Sequence, residues 1–315
     1  YYMAFSASEK HIIVNYHYIR DWSENYSAIN SCPIREFERQ IYFLSKNFKI
    51  VSVSDVFAAA EAKDSSRFCA LTFDDCLKDV NTNAVPILRK YNVTATLFPI
   101  TSVFDGHLPV VHKVHILLSK IPINDLVGKF NRYLEKNFSN LYLKYQIPTD
   151  RRVNPNVRPD DNILTANIKE TLAIGPRKVK EGFSDDHFKE LGFDERKVVE
   201  EFFMNKAEIM NLVSVLSVGS HSHNHGNLAT MTPDEIKDDL AKSQQLLSSL
   251  SDGKKDVDVF SYPHGRWNSD VINILKSNGF KYGLTIEERG VAKGEHPLLL
   301  PRYDTNCVRD YLDSF

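Results

Sequence analysis

The sequence predicts an α/β fold built on parallel strands, arranged as a sheet or a barrel. Short β-branched or all-apolar runs alternate with segments of helical period in the first hundred residues and again beyond residue 212. Several of those runs end in Asp or His, at the strand ends where ligands bind in parallel α/β folds.

His11-Ile12-Ile13-Val14-Asn15-Tyr16-His17 reads as the first strand, with His17 at its C-terminal end. Pro33 suits the first position of a helix in which Ile34, Phe37, Ile41 and Leu44 recur at helical spacing. Lys49 to Val53 reads as a second strand, and Ser54 as the cap of a short helix over 55–62. Phe68 to Phe73 is nearly all apolar, as expected for a strand covered on both faces, and runs into Asp74-Asp75. A helix with Ala84, Ile87, Leu88 and Tyr91 inward leads to another buried strand over 94–100.

From about 104 to 211 the alternation stops. His112 to Leu118 and Asp125 to Phe138 have helical character, 145–161 is rich in Arg, Pro and Asn without a period, and His187 to Leu212 is helical with a break near Gly192. This reads as an insertion into a single domain over 1–315, a lid or substrate wall rather than a second folded domain. The rhythm resumes with the apolar run Leu212 to Val218. Thr232-Pro233-Asp234-Glu235 is a capping box opening a helix to about Leu250, with Ile236, Leu240 and Leu247 inward. Val257 to Tyr262 is a strand ending in Pro263-His264-Gly265, and a helix from Ser269 stops near Gly279. Lys281 to Thr285 and Leu298 to Leu300 read as short strands, the second delivering Arg302.

Hydrophobic residues at 42% and charged residues at 25% suit a globular enzyme, while a formal charge of -2 leaves no footprint for nucleic acid or an anionic membrane. No apolar run approaches the ~20 residues of a membrane helix. Tyr1-Tyr2-Met3-Ala4-Phe5 lacks the charged-then-apolar layout of a secretion signal. Cys32, Cys69, Cys76 and Cys307 form no C-x-x-C pair and read as buried free thiols, so a reducing, cytoplasmic location is the expectation. Oligomeric state is not legible.

Ser220-His221-Ser222-His223-Asn224-His225-Gly226 places three histidines in five residues at the mouth of a strand. A solvated polar loop is the bland reading. His221 and His225, four apart in a turn-like segment, can instead aim at one ion. An Asp-Asp pair often begins a turn or caps a helix, but Asp74-Asp75 leaves a buried strand at the ligand-binding face. Together these give a two-His, one-carboxylate site of Asp75, His221 and His225, suited to catalytic zinc with open positions, and leave Asp74 as the general base beside a bound water. On an extended chain His221, His223 and His225 would share one face, which makes His223 the alternative ligand to Asp75.

Thr72-Phe73-Asp74-Asp75 followed by His221-Ser222-x-x-His225, with Phe260-Ser261-Tyr262-Pro263-x-Gly265 and Leu300-Pro301-Arg302 after them, resembles the NodB-homology polysaccharide deacetylases, carbohydrate esterase family 4. The resemblance spans most of the chain and is thinnest over the insertion. It implies an irregular (β/α) barrel and metal-dependent removal of N-acetyl groups from amino sugars of a surface polysaccharide or its precursor. Asp74 would be the base and Asp75, His221 and His225 the ligands of a divalent metal: Zn2+ first, with Co2+, Ni2+ or Mn2+ as alternatives. The Tyr262-Pro263-His264 segment would serve substrate and oxyanion, through a backbone N–H near His264.

The departures matter. Cys76 replaces the family's glycine after the Asp pair, and Ser261 replaces the arginine expected to partner the base, a role Arg302 could take. No late Leu-x-His motif supplies the general acid. In the circularly permuted branch that strand and its histidine come first, which makes His17 the candidate; His112, His115 and His264 are fallbacks, and a structural role for His17 is the alternative. Tyr142 and Tyr145 could stack on sugars, though such tyrosines more often pack. Competing functions are an O-acetyl esterase on a glycan, an inactive sugar-binding relative, and a structural zinc protein. The last would need four protein ligands.

Overall fold

A computed structural model describes residues 9–155, 158, 161–250 and 257–314. The opening Tyr1 to Phe5, read above for a secretion signal, lies outside the described residues. The strands are β1 (His11–Tyr16), β2 (Lys49–Ile50), β3 (Phe68–Asp75), β4 (Ala95–Pro99), β5 (Leu216–Val218), β6 (Val259–Ser261), β7 (Tyr282–Leu284) and β8 (Tyr303–Asp304). The helices are α1 (Ile34–Asn47), α2 (Val53–Ala62), α3 (Val85–Lys90), α4 (Val110–Lys120), α5 (Ile123–Asn137), α6 (Tyr142–Tyr145), α7 (Ile163–Ile174), α8 (Arg177–Glu190), α9 (Glu195–Phe202), α10 (Lys206–Met210), α11 (Pro233–Ser248), α12 (Ser269–Ser277) and α13 (Thr305–Asp313).

The chain divides into two compact units. The first contains every strand. Its larger sheet runs β5-β4-β3-β1-β8, with β2 beside the N-terminal part of β3, and β6 and β7 form a second sheet. All ladders are parallel, as the strand–helix alternation requires. Single bridges, Ser220 to Phe260 and Leu284 to Leu300, link the two sheets. Gly219 makes the first of these passable, because a Cβ there would fall 2.2 Å from the Phe98 ring and 2.8 Å from the Val259 carbonyl oxygen.

Strands β1 and β4 are buried along their whole length, and β3 along all but its first residue. This is why they read as apolar runs rather than alternating ones. Phe37, Ile41 and Leu44 of α1 are buried, as their spacing predicts. So are Ile236, Leu240 and Leu247 of α11, whose capping box joins Thr232 and Glu235. Ser52, not Ser54, caps α2: its hydroxyl accepts the Asp55 N–H at 3.2 Å. That earlier cap pulls Val53 into the helix and cuts β2 to two residues. Leu298 to Leu300 contributes one bridge rather than a strand.

The second unit comprises 22–30 and 107–198. Its interior holds Leu126, Phe130, Leu134, Ile168 and Phe183, with the Phe130 and Phe183 rings edge to face at 5.1 Å. Lys113 is buried between Asp185 at 2.7 Å and Glu195 at 3.1 Å. Residues 148–153, within the aperiodic stretch, are tied to α7 by Asn167, whose amide donates to the Pro148 and Arg151 carbonyls and accepts the Val153 N–H. Helix α7 went unread because its residues are buried around much of the helix, which erases the apolar stripe.

Candidate active site

Asp74 and Asp75 close β3 where it pairs with β4, Asp74 opposite Phe98 and Asp75 opposite Pro99. The backbone then turns sharply, since Asp75 has φ 74° and Cys76 φ 73°. Two successive non-glycine residues in the left-handed region cost roughly 1–3 kcal/mol each, and such strain persists only where the surroundings hold it. Here the turn is pinned by the Met204 N–H, which donates to the Cys76 carbonyl at 3.0 Å, and by complete burial of the Cys76 side chain. Cys76 therefore fills the conformation for which the resemblance implied glycine.

Asp74 is buried and locked. Arg302 grips it with both terminal nitrogens at 3.0 Å, and the Ser261 hydroxyl donates to it at 3.1 Å. Arg302 is itself fully enclosed and spends its other donors on Thr285 O, Asn15 Oδ1 and Ser261 Oγ, each at 3.0 Å. Burial pushes the Asp74 carboxyl up, but the Arg302 guanidinium, with His221 and His17 adding to it, outweighs this and holds the group below the usual aspartate value.

Asp75 faces the histidine loop. Its Oδ1 lies 3.6 Å from His221 Nε2 and 3.8 Å from His225 Nε2, and the two ring nitrogens are 3.1 Å apart. His221 Nδ1 donates to the Ser261 carbonyl at 2.8 Å, which fixes the tautomer and presents Nε2 as a lone pair in the neutral ring. A carboxylate and two imidazole nitrogens converging in a buried pocket repel or desolvate one another unless a cation sits among them. A tetrahedral ion with bonds of ~2.0–2.1 Å has ligand-to-ligand edges of about 3.4 Å, close to the spacings seen. The three residues fit a metal ion, and they are the group among the described residues that could hold one.

The loop is not extended, because Ser222 and His225 both have positive φ. His223 is therefore not swung beside its neighbours: its Nδ1 lies 3.0 Å from the Thr101 hydroxyl, and the alternative ligand set containing it is not assembled. His17 follows β1 with its Nε2 3.9 Å from Asp74 Oδ2 and its side chain 42% exposed, so it reaches Asp74 and solvent together. His264, at φ 58°, packs its ring edge to face on His225 at 4.6 Å. Tyr262 is brought elsewhere than expected: its ring is buried against Phe260, and its hydroxyl donates to Leu298 O at 2.8 Å. Its backbone N–H goes to Leu284 O, which leaves Tyr262 a structural post. His112 and His115 belong to α4 of the other unit.

The sequence reading missed Asn15 and gave Ser261 too little weight. Asn15 sits two residues before His17, hence on the same face of the strand, and a buried amide in an apolar run was the available signal. Ser261, taken only as a lost arginine, joins Asp74 to His221 through its hydroxyl and its carbonyl.

A family model described as polysaccharide deacetylase matches residues 61–118 and 193–283, the segments carrying Asp74, Asp75, His221, His225 and His264. A poly-beta-1,6-N-acetyl-D-glucosamine N-deacetylase of Staphylococcus aureus is 25% identical over 281 residues, 89% of this chain and 68% of that protein. The fold is shared with Streptococcus pyogenes deacetylase PplD in complex with acetate (TM-score 0.60, 17% identity, 98% of both chains). It is also shared with IcaB from Ammonifex degensii (TM-score 0.57, 15% identity, 96% of this chain and 97% of that one). Both motif-bearing segments therefore match the polysaccharide deacetylase family model, and the α/β architecture is common to nearly the whole length of the two solved structures.

Proposed function

We propose that the protein is a divalent-metal-dependent N-deacetylase that releases acetate from N-acetylated amino sugars of a surface polysaccharide or its precursor. The observation that carries this reading is the division of labour between adjacent carboxylates: Asp74 is committed to Arg302, while Asp75 faces His221 Nε2 and His225 Nε2 within 4 Å. Zinc suits the nitrogen-rich donor set, with Co2+, Ni2+ or Mn2+ as substitutes. When bound there, the ion would supply Lewis acidity and bring a water near neutral pKa.

The chain's own groups do the remaining work. Asp74, ionised beside Arg302, accepts the proton of the attacking water through Oδ2, the oxygen nearest both His221 and His17. Ser261 and Arg302 hold that carboxylate so that it need not reorient during attack. His17 donates a proton to the departing amine, and its exposure lets it recover one from solvent. The backbone around His264, turned by its positive φ, supplies an oxyanion donor. Likeness to the Staphylococcus aureus enzyme favours a β-1,6-linked N-acetylglucosamine polymer as substrate.

The test is acetate release from N-acetylated β-1,6-linked glucosamine oligomers, with metal added or chelated and O-acetylated glycans in parallel. Release from the N-acetylated oligomers that chelation abolishes and added metal restores is expected. Release from O-acetyl esters alone would assign an esterase, and binding without release would assign an inactive sugar-binding protein. In the same assay His17→Gln is expected to lower kcat by about 10²-fold with KM and metal affinity little changed. An unaltered kcat would remove His17 from the reaction.

A further inference from the structure

Helix α11 turns a mainly apolar face inward, yet two buried polar side chains interrupt it. Asp239 and Ser243 are four residues apart, hence on one face, and both are buried beside Ile236, Leu240 and Leu247. A carboxylate and a hydroxyl placed there cost stability unless they are fully partnered. Their partners all lie in the histidine loop. The two Asp239 oxygens accept the His223 N–H at 2.7 Å, the Asn224 N–H at 3.0 Å and the Asn224 side-chain amide at 3.0 Å. Ser243 Oγ meets Ser220 Oγ at 2.8 Å, and Ser220 Oγ in turn accepts the Ser222 N–H at 3.3 Å. The helix thus grips the loop at its entry and its middle.

Between and beyond these grips lie His221 and His225. The conformation that points both Nε2 atoms at Asp75 needs Ser222 and His225 in the left-handed region, which L-residues adopt only under constraint. The end of β4 supplies a second set of restraints, since the Thr101 and Ser102 N–H groups donate to the Ser222 and His223 carbonyls. Helix α11 offers a buried charge, Asp239, to the loop's backbone donors, and charge-assisted bonds of this kind are about twice as strong as neutral ones.

We propose that Asp239 is a positioning residue for the metal site: by clamping residues 223 and 224 it holds the two histidines at ligating distance and so sets the affinity for the ion. The inference rests on the metal-binding reading above. The hydrogen bonds of Asp239 go to His223 and Asn224 rather than to the rings of His221 or His225, so it acts through the loop backbone.

The experiment measures Zn2+ affinity calorimetrically and the visible Co2+ spectrum on metal-stripped protein. The variants are Asp239→Asn, Asn224→Ala and, as control, Asp238→Asn, whose side chain is 68% exposed and paired with Lys242. Asparagine at 239 keeps the volume but turns an NH2 toward loop donors. It is expected to weaken Zn2+ binding about 10- to 100-fold and to alter the Co2+ bands. Asn224→Ala, which removes one of three bonds, is expected to weaken binding several-fold, and the control to change nothing. A purely structural Asp239 would lower the melting temperature and leave the folded protein's affinity and Co2+ spectrum as in wild type, which overturns the proposal. Should Asp239→Asn fail to fold, unchanged affinity in Asn224→Ala overturns it equally. A wild-type protein that binds no metal would instead overturn the metal-site reading itself.

Discussion

Asp74→Asn is expected to lower kcat by about 10²–10⁴-fold while a divalent metal still binds, because the proposed ligands Asp75, His221 and His225 are untouched and only the proposed proton acceptor is lost. The amide is near-isosteric and can still accept one arm of the Arg302 fork. It has no charge, however, and no basic lone pair to take a proton at neutral pH. The substitution also leaves the enclosed guanidinium without its counter-charge, so the melting temperature should fall as well. Turnover must therefore be expressed per folded, metal-loaded molecule. Activity within tenfold of wild type on that basis would mean that another group takes the proton, and the assignment of Asp74 would fail.

Arg302→Met is the second large effect, this time on stability. Breaking a buried ion pair by removing one member costs about 3–5 kcal/mol, since the survivor remains buried and charged. Here the loss also strips a donor from Thr285 O, Asn15 Oδ1 and Ser261 Oγ. The sign of the pH dependence follows from Asp74. In the native protein its carboxyl titrates below the ordinary value, so the stability it contributes is present above that value and lost as pH falls through the lowered one. Without the guanidinium, burial, the largest single influence, is opposed by His221 and His17 without Arg302, so the carboxyl rises and the variant should be least stable relative to wild type at neutral pH, with the gap narrowing on acidification. Thermal melts of both proteins from pH 7 down to pH 4 check this. A gap that widens toward acid would contradict the pairing. A double substitution, Asp74→Leu with Arg302→Met, should recover part of the loss, as removal of both charges typically does.

The strand–helix rhythm and the grouping of Asp75 with His221 and His225 were legible because each rests on a local signal. An apolar strand running into Asp74-Asp75 and a five-residue histidine cluster announce themselves in single windows of sequence. Arg302 was legible only as a substitute for something missing, and its fit beside Asp74 depends on β8 lying against β1. Asn15, Ser261 and Asp239 were passed over for a common reason. Asn15 and Ser261 are single polar residues in otherwise apolar runs and Asp239 is one of several acids along α11, and the meaning of each lies in partners 15 to 287 positions away. His223 misled because side-chain direction was inferred from an extended chain, and the positive φ values at Ser222 and His225 cannot be read from Ser and His. Tyr262 misled because its neighbours Pro263 and His264 turn at the site while its own ring faces the core.

The pairing of β1 with β8 also fixes the order of events during synthesis. Asp74 emerges from the ribosome 228 residues ahead of the arginine that neutralises it. Until β8 arrives, folding β3 into its final environment would bury an uncompensated carboxylate. A nascent chain ending before residue 302 should therefore leave that end of β3 wet, whatever its helices have done. Contacts of such long sequence separation close slowly because of the loop entropy they must overcome. The Asp74–Arg302 pair is completed only with the last strand of the sheet, so on the function proposed above the base would be competent only when this unit is complete.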